Sequence, residues 1–334
     1  MIPVYPIGAV DWLTTQTLYH GIAELGEEAV VLCWPTSPYV SLGCHQDGDE
    51  FDPSSKLPAL RRRVGGSLVY LDDQQVFFQV ILNPSRFPDV RRPMDWYRLA
   101  LNPVVNYLAD LGLRAELNPP ADILVNGRKV SGNAGGQIDD RMVIVGNLLL
   151  DFPRDMMVQA RYAPHPRLKE AFATSLDEHL MTLRQLVSDT LTPTAVMEGL
   201  TRHFADAFSG QVMPAPWDRW SATLAVVGQE LQDPEWLRAP GMRLPFHQIK
   251  VREGVYLRMP RVSPKDPRAS IVAEVHTDED AIHRLWGLET WHTTLSLPLT
   301  RKCLEEKPGP KALKSLLNTL LGAHRQAQEA PLAT

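Results

Sequence analysis

Ile123-Leu124-Val125-Asn126-Gly127-Arg128-Lys129-Val130 is the stretch from which the fold can be read. Asn-Gly between two β-prone runs favours a two-residue turn with both central residues at positive φ, so the segment is a β-hairpin. Lys129 falls two residues beyond the turn, on the return strand. Downstream, Ser131-Gly132-Asn133-Ala134-Gly135-Gly136 reads as a flexible loop of small residues, and residues 142–150 read as a buried strand interrupted at Gly146-Asn147.

Upstream, Trp96, Leu99, Val104, Val105, Leu108 and Leu111 mark a helix that Asp95 caps and Gly112 stops, with Pro103 implying a kink or a late start. Before it, residues 68–71 and 76–82 are two apolar, β-rich segments separated by Asp72-Asp73-Gln74-Gln75. They are entered from Arg61-Arg62-Arg63-Val64-Gly65-Gly66-Ser67, three cations running into a glycine pair. Arginine supplies planar, permanently charged donors suited to phosphate or carboxylate, and paired glycines allow close backbone approach. An anion-binding turn is one reading; a solvated cationic face before a strand is the other.

Residues 11–26 are loosely helical with Gly26 as a stop, and residues 29–33 and 39–43 read as short strands, the second running into Cys44-His45-Gln46. Residues 176–191 and 193–208 carry apolar side chains at helical spacing. Residues 210–245, rich in proline and tryptophan, read as a linker with amphipathic pieces. Beyond it, strands at 251–259, 269–275 and 293–299, a helix from Asp280 and a terminal helix over 310–327 make a small α+β unit. No internal repeat is visible. The fold class expected is α/β (α+β): a large domain over 1–240 with a central mixed sheet flanked by helices, and a small accessory domain over 241–334.

With 334 residues the chain exceeds the roughly 250 to 300 at which single cores stop growing, which agrees with two domains. A hydrophobic fraction of 44% and a charged fraction of 22% exclude a disordered chain. The net charge of -5 gives no global attraction to nucleic acid or an anionic membrane. Cys33, Cys44 and Cys303 have neither disulfide-framework nor zinc spacing. No apolar run approaches the roughly 18 residues of a membrane helix, and no cationic region followed by an apolar core opens the sequence. A cytoplasmic protein is expected.

Three motifs in order, Arg61 to Asp72, Ala121 to Ala134 and Val145-Gly146-Asn147-Leu148-Leu149, together resemble the lipoate-protein ligase family. The resemblance implies an α/β domain shared with biotin ligases and octanoyltransferases, covering residues from about 11 to 210, with a tail similar to the accessory domain of bacterial ligases. It implies ATP and Mg²⁺, lipoate or octanoate as substrate, an acceptor lipoyl-domain or lipoate-binding protein, no nucleic-acid or membrane partner, and a monomer. The implied reaction has two steps: the acyl carboxylate attacks the α-phosphate of ATP, and an acceptor lysine then takes the acyl group from the adenylate.

By position, the resemblance places the catalytic lysine at Lys129, where a solvated lysine at a hairpin tip is the plainer reading of the residues alone. It places substrate and adenylate binding on Arg62, Gly65, Gly66, Ser67, Gln75, Asp122, Gly132, Asn133, Ala134, Gly146 and Asn147, with Asp122 also as a magnesium ligand. The chain departs from the pattern at Ser67, where a third glycine is usual, at Leu71, where many relatives have histidine, and at Gln75, where asparagine is usual. Related octanoyltransferases carry the acyl group on cysteine, and Cys44 is the candidate here, although His45 beside it would point to the opposite face of a strand. Acyl transfer without ATP from a thioester or lipoyl-protein donor, and lipoate binding without catalysis, are therefore alternatives.

Overall fold

The computed structural model describes residues 1–261 apart from 243 and 245, and the backbone of three strands beyond them. The described residues form two compact units, Met1–Tyr162 with Ala173–Met242, and Ala163–Phe172 with the described residues after 243.

In the first unit, β1 (Val4–Val10) passes through α1 (Thr14–Glu24) to β2 (Ala29–Pro35), which lies parallel to it. Then come β3 (Tyr39–Leu42), β4 (Ala59–Arg61), β5 (Val69–Leu71), β6 (Gln75–Leu82) and α2 (Pro93–Asp110). The hairpin region supplies β7 (Ala115–Asn118), β8 (Asp122–Val125), β9 (Arg128–Ile138) and β10 (Arg141–Leu149). Helices come next: α3 (Arg154–Ala160), α4 (Pro166–His179, which belongs to this unit from Ala173 on), α5 (Leu183–Leu186), α6 (Pro193–Ala207), α7 (Trp217–Leu231) and α8 (Pro234–Arg238). The main sheet is mixed and seven-stranded, in the order β1-β2-β6-β10-β9-β8-β7, and β4-β3-β5 forms a separate three-stranded sheet.

Alternation along β6 shows why helices cover both faces. Val76, Phe78, Val80 and Leu82 point into a core shared with Val104 of α2 and Phe204 of α6. Phe77 and Ile81 point the other way, into a core with Leu18 and Ile22 of α1 and Trp220 and Val227 of α7. A strand buried on both faces has no polar register, which is why this segment reads as a continuous apolar run.

Several expectations are corrected. β1 has no counterpart in the sequence reading, because its short VYPIGAV run contains a proline and a glycine. Residues 131–136 are not a loop: they continue β9 through Ile138, paired with β10, which runs unbroken through Gly146 and Asn147. Residues 176–191 are not one helix. The chain breaks between α4 and α5, where the Met181 amide donates to the Lys129 carbonyl at 2.9 Å and Thr182 forms a capping box with Gln185. Within the expected linker, α7 is a regular helix packed so closely on α1 that a Cβ at Gly21 would come 2.6 Å from Leu224.

The second unit carries β11 (Phe246–Arg252), β12 (Val255–Pro260), β13 (Ser270–His276), β14 (Asp280–Gly287) and β15 (His292–Pro298) in one antiparallel sheet. The helix expected from Asp280 is thus the strand β14, which is hydrogen-bonded on both sides, a tertiary context that overrides local preference. The expected helix over 310–327 lies outside the described residues. Among the described residues no helix is long and apolar enough to cross a membrane.

One buried group sets an acid limit on the first unit. His20 is fully buried, its Nδ1–H donates to the Gln16 carbonyl at 2.7 Å, and its Nε2 accepts from the Arg63 amide at 3.0 Å. Burial, helped by the charges of Arg63 and Arg62, pulls its pKa down to about 3. The ring is therefore neutral in the fold, while in the unfolded chain it takes a proton near pH 6.5. Stability falls as pH drops from about 6.5 toward 3, by up to about 1.4 kcal/mol per pH unit. Urea unfolding at pH 6.5 and pH 5 should show a loss of about 2 kcal/mol in the parent that His20→Gln lacks.

Candidate active site

The hairpin forms as its sequence requires, with Asn126 and Gly127 at φ of 52° and 71°. The return strand is irregular at its start. Ile123 opposes Ser131 but Leu124 opposes Lys129, leaving Val130 as an extra residue, a β-bulge. Val130 enters the core beneath α2 and α6. Lys129 is thereby delivered to the same face as Asp122, and its Nζ lies 3.0 Å from Asp122 Oδ1. The carboxylate is 2% exposed and the lysine 17%, so the ammonium stands at the edge of solvent while its counter-ion is inside. A Cβ at Gly132 would come 2.9 Å from Lys129 Cε and Nζ, so the lysine lies across a strand position with no side chain.

The arginine-glycine stretch packs onto that face, but its cations are used differently from the sequence expectation. Arg62 is 4% exposed, and all five of its N–H groups point inward. Nε donates to Gly65 O at 3.0 Å, Nη1 to Ser41 O at 2.9 Å and Ser41 Oγ at 3.3 Å, and Nη2 to Gly65 O and Ser67 O at 2.8 Å each. Arg62 thus builds the loop. Arg61 donates to Leu237 O at 3.1 Å and Ala239 O at 2.6 Å, with its guanidinium 5.3 Å from the centre of the Trp236 ring. Arg63 pairs with Glu24 and Glu230. Arg61 and Arg62 are buried, Arg63 lies partly exposed at the surface, and each is engaged by groups of the protein itself.

The loop they hold lies against β9. Gly66 has φ +93°, and a Cβ there would sit 2.6 Å from Arg62 Nη2 and 3.4 Å from the Ala134 methyl. A Cβ at Gly43 would meet the Gly66 carbonyl oxygen at 2.0 Å, so the strand end before Cys44 must also be bare. The Gly65 amide donates to Gly135 O at 3.4 Å, and the Gly66 and Ser67 amides have no acceptor among the described residues. Successive amides of this kind at a glycine turn form an anion-receiving concavity.

Gln75 and Asn147 join this group through their side chains. Asn147 Oδ1 accepts from the Gly132 amide at 3.2 Å, and its Nδ2 donates to Gln75 Oε1. Gln75 Nε2 donates to Asp72 Oδ1 at 3.2 Å and Tyr70 O at 3.3 Å. Asp72 is nearly buried, and desolvation raises its pKa. Leu71, at the position where many relatives have histidine, packs into the core with Phe77 and Tyr39.

Two expected site residues are on the other face. Asn133 Nδ2 donates to Ala121 O at 2.6 Å, and its Oδ1 accepts from Ser131 Oγ at 3.2 Å. A Cβ at Gly146 would strike Asn133 Oδ1 at 1.8 Å and the Phe78 ring at 2.5 Å, so Gly146 is bare to seat Asn133 over the α2–α6 core. Lys129, Asp122, Gly132, Ala134, Asn147, Gln75, Arg62, Gly65, Gly66 and Ser67 are brought together; Asn133 and Gly146 back them from behind. Ser41 and Gly43, in the stretch before Cys44 that the resemblance places at the pocket border, hold Arg62 and the loop, a role that no local signal marks. Cys44 is half-buried with its amide donating to Val64 O at 3.1 Å, and burial pushes its thiol pKa up against the opposing charges of Arg62 and Arg61.

Among the described residues no group of three or more His, Cys, Asp and Glu is placed to hold a metal ion. A donor set centred on Asp122 fits Mg²⁺ arriving on nucleotide phosphates, because that ion keeps waters and needs one or two carboxylates from the protein. It does not fit a resident ion in a protein cage.

The lipoyl protein ligase A/B catalytic domain family matches the chain over residues 8–205. The lipoate-protein ligase LplJ of Bacillus subtilis is 26% identical over 182 residues, covering 53% of this chain and 54% of that protein. The octanoyltransferase LipM of Kyrpidia tusciae is 26% identical over 180 residues, covering 46% of this chain and 64% of that one. The chain thus spans about half the length of the ligase and under two thirds of the transferase. Among solved structures, that of an archaeal bipartite lipoate protein ligase and its E2 lipoyl domain from Thermoplasma acidophilum gives a TM-score of 0.62 at 17% identity, covering 72% of this chain and 98% of the other. At that identity the likeness is one of fold.

Proposed function

This chain belongs to the lipoyl protein ligase A/B catalytic domain family, and from that premise we propose that it is an ATP-dependent lipoate-protein ligase. The observation that carries the reading is Lys129, held 3.0 Å from a buried Asp122 over a bare strand position, beside a glycine loop with open amides. A compact ammonium there can bridge the carboxylate of lipoate or octanoate and an α-phosphate oxygen, cancelling the repulsion between two anions that must meet. The carboxylate oxygen forms the bond to the α-phosphorus, and the bond to the leaving pyrophosphate breaks. An acceptor lysine amine then attacks the acyl carbon and AMP leaves. Asp122 holds the ammonium aimed, and the Gly66 and Ser67 amides receive anionic oxygens. Magnesium, when brought by the nucleotide, supplies charge neutralisation, and Asp122 is the residue that would ligate it. Lipoyl-domain proteins are the acceptor class we propose, by analogy with the archaeal ligase and its E2 lipoyl domain.

Incubation with ATP, magnesium, lipoate and a lipoyl domain should release pyrophosphate and add a lipoyl group to the acceptor lysine. No pyrophosphate with either lipoate or octanoate would overturn the reading. A second reading, acyl transfer from a protein thioester without ATP, is favoured by the octanoyltransferase relative. The raised thiol pKa of Cys44 works against it, since the thiolate is the nucleophile. ATP-independent transfer lost in Cys44→Ser would establish it instead.

A further inference from the structure

We propose that Gln75 is a positioning residue, the middle of a side-chain chain that fixes the glycine-loop side of the site at a set distance from Lys129. This rests on the assignment of Lys129 as the group that activates the carboxylate.

The chain can be followed atom by atom. It starts at Tyr70 O on β5 and at Asp72 in the turn after it, both accepting from Gln75 Nε2. It crosses from β6 to β10 through Asn147 Nδ2 donating to Gln75 Oε1. From β10 to β9 it passes through the Gly132 amide donating to Asn147 Oδ1. It ends where the Lys129 Cε and Nζ lie over Gly132, 2.9 Å from where a Cβ would be. Two sheets are joined this way, because β5 belongs to the three-stranded sheet and β6, β10 and β9 to the main one. The strand leaving the Arg62-built loop and the strand carrying the lysine are thereby held together by side-chain amides.

The length of the glutamine is what closes the path. In the β6–β10 register Gln75 stands opposite Leu149, and Asn147 stands opposite Phe77. The two amides are therefore diagonal neighbours, a separation that long side chains span and short ones do not. Both polar atoms of the Gln75 amide are committed and its side chain is fully buried, so neither remains for a ligand. Asn147 is committed in the same way, through Oδ1 to Gly132 and through Nδ2 to Gln75. These residues act on the substrate through Lys129, whose reach they set. Outer groups of this kind commonly carry a 10- to 100-fold effect on the groups they orient.

Gln75→Asn is the test, since it keeps the amide and removes one methylene, with Gln75→Leu as a second variant lacking the amide. Pyrophosphate exchange with lipoate, read as kcat and KM separately, should show kcat lower by about 10- to 100-fold and KM for lipoate within about threefold of the parent. In parallel, Lys129 is tagged by reductive ¹³C-methylation, assigned against Lys129→Arg, and its NMR resonance should move toward that of free lysine in both variants. A parental kcat with an unmoved resonance overturns the proposal, as does a lowered melting temperature with kcat per folded molecule intact. If the parent itself exchanges no pyrophosphate, the functional reading fails and the resonance alone decides: moved, Gln75 positions the lysine; unmoved, it does not.

Discussion

Lys129→Ala is expected to reduce pyrophosphate exchange by about 100- to 1,000-fold, the cost of deleting one preorganised cationic donor from a transition state rich in oxygen charge. The change also removes an ion-pair partner of Asp122. With the lysine gone, a carboxylate that is 2% exposed has lost the ion-pair partner 3.0 Å away. Breaking a buried pair from one side costs about 3 to 5 kcal/mol, and the lower end applies because Lys129 keeps 17% exposure. Urea unfolding should therefore show a loss of about 3 kcal/mol for Lys129→Ala. The double variant Asp122→Asn with Lys129→Met should recover most of that stability while staying inactive, because it removes the buried carboxylate charge without restoring the donor. Exchange within tenfold of the parent in Lys129→Ala would remove the lysine from the reaction.

Arg62→Ala is expected to be the most disruptive single change in the first unit. It deletes five donated hydrogen bonds at once and leaves the carbonyls of Ser41, Gly65 and Ser67 without the partner that folds them around one point. Each unsatisfied buried acceptor costs about 1 to 3 kcal/mol, so a loss of about 4 kcal/mol is expected in equilibrium unfolding. Arg62→Lys should recover little, because a single ammonium cannot serve acceptors spread around a planar fork. In whatever fraction folds, KM for ATP should rise more than kcat falls, since the loop's open amides would no longer be held in one arrangement. A variant with parental stability would show that the guanidinium is not the frame of the loop.

Part of the sheet was legible because some of its strands announce themselves locally, while β1 and the middle of β9 do not. Asn126-Gly127 dictates its own turn, and the apolar runs in β6 and β10 can only be buried. The grouping of Lys129, Asp122, the glycine pair and Asn147 was legible through the ordered motifs. What escaped reading depends on partners distant in the chain. Three arginines in a row suggest solvent or an anion, and nothing local says that Arg61 and Arg62 will be buried against carbonyls, some of them over 170 positions away. Whether Asn133 or Ala134 faces the site depends on the register of β9 against β10, a property of two strands together. The strand at Asp280–Gly287 escapes for the same reason, since both of its neighbours lie outside its own sequence.

The extra residue at Val130 makes the hairpin a counting device. Chemistry at the tip is free to change, because the turn asks only for residues that accept positive φ. The number of residues between Gly127 and Gly132 is not free: one fewer or one more inverts the phase of everything before the bulge, exchanging an ammonium in the site for one in an apolar core. Insertions and deletions should therefore be excluded from this short interval and tolerated just outside it, so that lineages of this architecture would drift in the composition of the hairpin but not in its count.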